Sequence, residues 1–206
     1  DGLYRQKWRY PPETIVSHTF FMERPEEFFA FYREKMLAPD ARPNAAHKAL
    51  AHLESEGKLT AVVTQNIDDL HERAGSTHVT HLHGELRKLR SSADESLVVP
   101  IEGWEQHLDD RAPDGSLLRP FVVFFGEGVP MFDRAARIAA TADLLIVVGT
   151  SLAVYPAASL VRYIRPDVPV YLIDPNEPDM SGIRNPTELI RMNSAQGTPL
   201  LVDRLI

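Results

Sequence analysis

No cysteine occurs anywhere in the 206 residues of this chain. That absence excludes a disulfide framework and any zinc site built on thiolates. Long hydrophobic runs are missing as well. No apolar stretch is long enough to span a membrane and no signal peptide opens the sequence, so a cytoplasmic protein is expected. Positive charge is sparse: 22 Lys and Arg stand against 29 Asp and Glu, giving a net charge of −7 with no basic cluster. Nucleic acid is therefore not an expected partner, whereas basic, lysine-bearing segments are weakly favoured. No Gly-x-Gly-x-x-Gly turn follows an apolar run, which disfavours a dinucleotide oxidoreductase. These exclusions leave a globular chain, 44% hydrophobic, long enough for a sizeable core and expected to act as a monomer.

What the sequence does contain is organised around residues 64–84. Leu59-Thr60-Ala61-Val62-Val63-Thr64 is a β-branched, apolar run of strand length. Gln65, Asn66 and Asp68 follow at once, where a strand gives way to a loop. In open parallel sheets, ligands bind at the carboxyl ends of the strands. A short helical pattern from Leu70 to Ala74 ends at Gly75, so helix capping is the plain alternative for Asp68 or Asp69. An apolar run at Val79 and Leu82 then leads into His83 and Gly84. A solvated loop histidine is the ordinary reading of that position. The neighbouring amides and carboxylates also suit a polar heterocycle and a ribose.

Elsewhere strands alternate with helices. Phe28, Phe29, Phe31, Tyr32 and Met36 fall at helical spacing across residues 25–36 and read chiefly as helix core. Asn44 opens a second helix reaching about Glu56, with His47 in a packing or capping role. Residues 87–118 carry scattered charge and a loop-like run at 112–116, and are expected to form an irregular excursion. Residues 121–125 read as a buried strand ending in Gly126-Glu127-Gly128, and residues 132–141 as a helix. The clearest strand, 143–148, runs into Gly149-Thr150-Ser151; a helix at 156–164 precedes a strand at 170–173 that ends at Asp174-Pro175-Asn176. This alternation predicts an α/β fold with a doubly wound, parallel, Rossmann-like sheet. Gln65, Asn66 and Asp68, the Gly-Thr-Ser run, and Asp174 with Asn176 then collect at one sheet edge. Gly-Thr-Ser offers N–H groups and hydroxyls to a phosphate or ribose, or simply starts a helix. Asp174, 25 residues beyond Gly149, suits an adenosine ribose, with a turn before Pro175 as the alternative.

The contiguous TQNIDDLHERAG of residues 64–75, followed by HGEL at 83–86, resembles the sirtuins, NAD-dependent protein deacylases whose hallmark is TQNID followed by HG. The likeness extends to Asp1–Tyr4, to Phe31-Tyr32 with Pro43–His47, to Arg119-Pro120 with Val122–Glu127, and to Val148–Leu152 with Val154–Ala158. It implies one catalytic domain over 1–206: a helical module at 19–57, a remnant of a small zinc-ribbon-like module at 87–118, and a Rossmann-like core at 58–86 and 119–206. It implies NAD as cofactor, acetylated lysines of proteins or peptides as partners, and nicotinamide, O-acetyl-ADP-ribose and free lysine as products. By position, Asn66, Asp68 and Gln65 would bind nicotinamide and its ribose, and His83 would be the general base. Gly149, Thr150, Ser151, Asp174, Asn176 and Ala195 would complete the cofactor site. Val123, Phe125 and Gly126 would line an acyl-lysine tunnel and pair with the substrate backbone, with Tyr32, Lys35, Glu127 and Val129 also at the substrate. A neutral imidazole suits deprotonation of a ribose hydroxyl, and apolar Val123 and Phe125 suit exclusion of water.

Three features depart from the family pattern. Its Gly-Ala-Gly-Ile-Ser loop and Thr-Phe-Arg segment do not occur in the sequence. They would precede Asp1, and without them NAD binding and turnover are expected to be poor. Most relatives hold zinc with two Cys pairs near 87–118; here Arg90-Ser91-Ser92 stands where the first would begin, so a zinc-free module is expected. Members favouring acidic acyl groups carry Tyr-x-x-Arg, against Tyr32-Arg33-Glu34-Lys35 here. Lysine lacks the bidentate fork, so acetyl is the expected group. Two other readings stay open: a catalytically inactive ADP-ribose or acyl-lysine binding module, and an NAD glycohydrolase or ADP-ribosyltransferase. Asn66, Asp68 and His83 argue against the first, the apolar strand at Val123 and Phe125 against the second.

Overall fold

The structure is a computed structural model that describes residues 9–36, 41–101, 106–107, 109–150, 152, 155–176, 178 and 180–206. Three short helices come first: α1 (Pro12–Ile15), α2 (His18–Glu23) and α3 (Pro25–Phe31), the last passing into a π-helical turn at Tyr32–Met36. Next are α4 (Ala45–Ser55), β1 (Val62–Thr64), α5 (Leu70–Ala74) and β2 (Val79–His81), then β3 (Gly84–Ser91), β4 (Val98–Pro100) and β5 (Leu118–Val122). The remainder is α6 (Phe132–Ala140), β6 (Leu145–Val148), a 3-10 turn at Ala157–Arg162, β7 (Val170–Ile173), β8 (Thr187–Ile190) and α7 (Ser194–Leu205). The chain divides into two compact units: Asp1–Ala41 with Asn66–Asp69 and His83–Gly128, and Arg42–Gln65 with Leu70–Leu82 and Val129–Ile206.

The first unit is built on aromatic packing. Ser17 caps α2 by accepting the Phe20 N–H, and Pro25 opens α3 with Glu26 and Glu27 in its first turn, both favourable at a helix start. The predicted stripe is buried at Phe28, Phe29, Phe31 and Tyr32. Phe28 meets Phe21 and Phe124 edge-on, with ring centroids 5.2 and 5.1 Å apart. Such pairs add to the gain from burying the rings.

Part of the stretch expected to be irregular, residues 87–118, is regular strand. β3 lies between β4 and β5 in an antiparallel sheet, with Leu89 opposite both Val99 and Pro120. The strand is hard to read because Glu85, Arg87, Lys88 and Arg90 interrupt any apolar alternation, while Leu89 and Ser91 are its buried members beyond Gly84. Ser91, only 1% exposed, ties the loops at the end of this sheet. Its hydroxyl donates to Asp114 (2.8 Å), lies 2.7 Å from the Ser116 hydroxyl, and accepts from the N–H groups of Ala93 and Asp94 (3.0 and 2.8 Å). Hydrogen bonds from Ser116 and Ser91 hold the Asp114 carboxyl below its ordinary pKa. Zinc does not fit here: the chain offers no thiolate, and among the described residues no group of three His, Asp or Glu is placed to hold a metal. Ser91→Ala removes a buried hydroxyl that donates to Asp114 and accepts from the Ala93 and Asp94 N–H groups, and is expected to lower unfolding free energy by about 1–3 kcal/mol, read from the urea midpoint.

The second unit holds the parallel strands. α5 connects β1 to β2, which pair in parallel with Val62 opposite Val79. β6, β7 and β8 form a second parallel ladder in that order, with Val148 opposite Ile173 and Ile173 opposite Ile190. Asn44 starts α4 through a capping box, its side chain accepting from His47 N–H while the His47 ring accepts the Asn44 N–H. That is the capping role expected of His47. The segment read as a helix from 156 is a 3-10 turn, and β8 and α7 have no counterpart in the sequence reading. Among the described residues, no helix is long and apolar enough to cross a membrane.

Candidate active site

In the first unit, two backbone hydrogen bonds gather the predicted catalytic and substrate residues. The Leu86 N–H donates to the Ile67 carbonyl at 2.8 Å, laying the turn that carries Asn66 and Asp68 along β3 just beyond His83. The Val123 N–H donates to the His83 carbonyl at 2.9 Å, tying the histidine to the chain leaving β5. His83 itself is half-buried in the turn between β2 and β3. Its neighbour Gly84 has φ +84°, opposite Val122, and a side chain there would collide with the Phe121 carbonyl. Glycine is required at this crossing.

β5 ends at Val122, short of the strand expected through Phe125. The Phe124 N–H turns to the Glu127 carboxylate (3.0 Å) and the Phe125 N–H to the Val16 carbonyl (3.0 Å). The Phe125 side chain is left 49% exposed, and Gly126, with φ +90°, has open space where a side chain would stand. Glu127 accepts from Arg119 at 2.6 and 3.0 Å and lies 2.9 Å from His18 Nδ1. Burial alone would raise its pKa, but the bonds from Arg119 and Phe124 prevail and hold the carboxyl at about 2. Its oxygens are thus engaged internally.

Tyr32 is likewise enclosed. It is 0% exposed and stacked on Phe28 at 5.7 Å, so it belongs to the aromatic core. Among the described residues its hydroxyl has no hydrogen-bond partner, and burial pushes the phenol pKa up. The side chain of Lys35 and the whole of Ser151 lie outside the described residues.

The second unit gathers the predicted cofactor residues. Because Val148 pairs with Ile173, the ends of β6 and β7 are adjacent, and Gly149 and Asp174 with them. Gly149 has φ +63° and open space at its missing side chain; beside it the Thr150 hydroxyl accepts from the Leu152 N–H (3.2 Å). Asp174 is 8% exposed and accepts the Asn176 N–H at 2.8 Å. α7 brings Ala195 toward this end, since a side chain on Gly197 would run into Ile173. Open backbone, a hydroxyl and a nearly buried carboxylate at adjacent strand ends suit the phosphate and ribose of a nucleotide. Gln65 stands just past β1 in this unit. Val129 packs on the cluster of Leu82, Ala135 and Ala157.

Arg119, although part of the stretch that resembles the family, was given no role of its own in the sequence. The available signal was a lone arginine at the entrance to the apolar 121–125 run, since a charge entering a buried strand needs an internal partner.

Residues 1–156 match the Sir2 family. The NAD-dependent protein deacylase of Aggregatibacter actinomycetemcomitans is 49% identical over 177 residues, 85% of this chain and 83% of that protein. A solved mutant Sir2 homologue in complex with ADP-ribose matches all of this chain and 85% of its own length, with a TM-score of 0.86 at 37% identity. A solved Sir2 bound to acetylated peptide matches with a TM-score of 0.76 at 33% identity, covering 93% of this chain and 83% of that one. The sirtuin resemblance read from TQNID and HG therefore extends to sequence and fold alike, and the chain belongs to the Sir2 family.

Proposed function

We infer that this chain is an NAD-dependent protein deacylase that removes acetyl groups from lysine side chains of proteins. The carrying observation is the pair of backbone bonds that join Asn66 and Asp68, His83, and the Val123–Gly126 stretch within one unit of a Sir2-family chain. When bound, NAD would supply a ribose carbon as acceptor for the acyl oxygen, with nicotinamide as the leaving group. Within the first unit Asn66 and Asp68 are read as nicotinamide and ribose contacts, and within the second Gln65, Gly149, Thr150, Asp174, Asn176 and Ala195 are read as ribose and phosphate contacts. His83 takes the proton from a ribose hydroxyl, a task for which imidazole is matched near neutral pH. Phe125, with half its side chain presented to solvent, and Val123 form the apolar wall that keeps water from the reacting carbon. Burial of Tyr32 in the aromatic core removes one polar contact that an acidic acyl group would need, which supports acetyl as substrate.

Mass spectrometry of an acetyl-lysine peptide incubated with the chain, with and without NAD, tests this reading. NAD-dependent loss of acetyl with appearance of nicotinamide and O-acetyl-ADP-ribose is expected. The same assay is run with a Gly-Ala-Gly-bearing segment fused ahead of Asp1. A peptide that stays acetylated in both forms would move the assignment to a binding module. NAD consumption without peptide turnover would favour a glycohydrolase.

A further inference from the structure

The Arg119–Glu127 pair is more deeply enclosed than a surface ion pair, with side chains 5% and 17% exposed. Its hydrogen bonds converge on one short stretch of backbone. Arg119 grips Glu127 with both terminal nitrogens, and one of them also donates to the Val122 carbonyl at 3.1 Å. Glu127 returns to the same stretch by accepting the Phe124 N–H. The guanidinium lies 4.0 Å from the centre of the Phe124 ring, a cation–π contact that fixes the plane of the fork. Between the two anchored groups is Val123, whose N–H holds the His83 carbonyl. Arg90 approaches Glu127 less closely, at 3.8 Å, and has its short ion pair with Glu95 at 2.7 Å.

A fold that needed only stability at this place would be served as well by apolar side chains, because burying an ion pair costs much of what the attraction returns. What the pair adds is geometry. An arginine fork fixes two acceptors in one plane in a way no apolar contact does.

We propose that Arg119 and Glu127 are positioning residues for acyl-lysine recognition, holding the Val123–Gly126 segment and, through the Val123 N–H, the main chain of His83. The proposal rests on the deacylase reading of this segment. One ion pair then sets the substrate wall and the base together, without touching substrate itself.

The test uses the full chain and the variants Arg119→Lys, Glu127→Ala and Glu127→Gln. Affinities for an acetyl-lysine peptide and for ADP-ribose are measured alongside kcat, KM and the melting midpoint. Arg119→Lys and Glu127→Ala are expected to weaken peptide binding and raise peptide KM about tenfold or more, with ADP-ribose affinity within about twofold. Glu127→Gln keeps an oxygen for the Phe124 N–H and should recover most of the peptide affinity. Unchanged peptide affinity in Glu127→Ala overturns the proposal. So does a parallel loss of peptide and ADP-ribose binding that tracks melting, which marks a purely structural pair. A wild-type chain that binds no acetyl-lysine peptide overturns it as well. Wild-type protein that binds peptide but releases no nicotinamide sinks the enzyme reading alone, because the binding comparison still stands.

Discussion

Replacing His83 by alanine is expected to lower NAD-dependent deacetylation by roughly 10²–10⁴-fold, the range lost when a positioned general base is removed. The loss should appear in kcat and kcat/KM together, since the proton moves only as the reaction proceeds. Folding should barely notice. The carbonyl that accepts the Val123 N–H is main chain and survives the substitution, and the imidazole is only half-buried. ADP-ribose affinity should also survive, because Gly149, Thr150 and Asp174 sit at other strand ends. Steady-state nicotinamide release, with an acetyl-lysine peptide as acceptor, reads the effect. Turnover within about tenfold of wild type, at unchanged melting temperature, would remove His83 from the role of base, since even a weak general base contributes more than that.

How much of this was legible beforehand depends on how local each signal is. β1 could be read because Val62, Val63 and Thr64 are β-branched and the polar Gln65 ends the run. α4 announced itself by Asn44 at the cap, and α5 by its stop at Gly75. β3 was not legible, because beyond Gly84 its burial falls on Leu89 and Ser91 while Glu85, Arg87, Lys88 and Arg90 break the alternation. Nor was the Ser91 network, whose partner Asp114 is 23 residues away. α7 was hidden by Pro199, a residue that argues against a helix interior on local grounds. Motif residues such as Asn66, Asp68 and His83 could be singled out because their chemistry is displayed in contiguous sequence. The surroundings of Tyr32 and Glu127 were not legible, because polar groups seen without their neighbours give no hint that Phe28 covers one and Arg119 occupies the other. A side chain's type is local information. Its availability is not.

Gly84→Ala carries the largest expected cost to the fold, and comparison with Gly57 isolates the reason. Both glycines adopt the left-handed conformation, with φ +84° and +71°. A side chain on Gly57 meets nothing, so alanine there should cost roughly 1 kcal/mol of backbone strain. A side chain on Gly84 is driven into the Phe121 carbonyl, with the Val122 backbone close behind. Backbone cannot rotate aside as a flexible side chain would. Relief therefore requires β3 and β5 to part where Gly84 faces Val122, and the expected cost is roughly 3–5 kcal/mol, at the diagnostic end of single substitutions. Urea unfolding of the two variants measures the difference. Equal losses would mean that conformation rather than contact limits both positions. The separation also stretches the Val123–His83 bond one residue away, so activity should fall further than the unfolded fraction explains, even at a temperature where the variant remains folded. The glycine of the HG motif is thus tied to its histidine by packing. It allows β5 to come close enough to hold the main chain that carries the base.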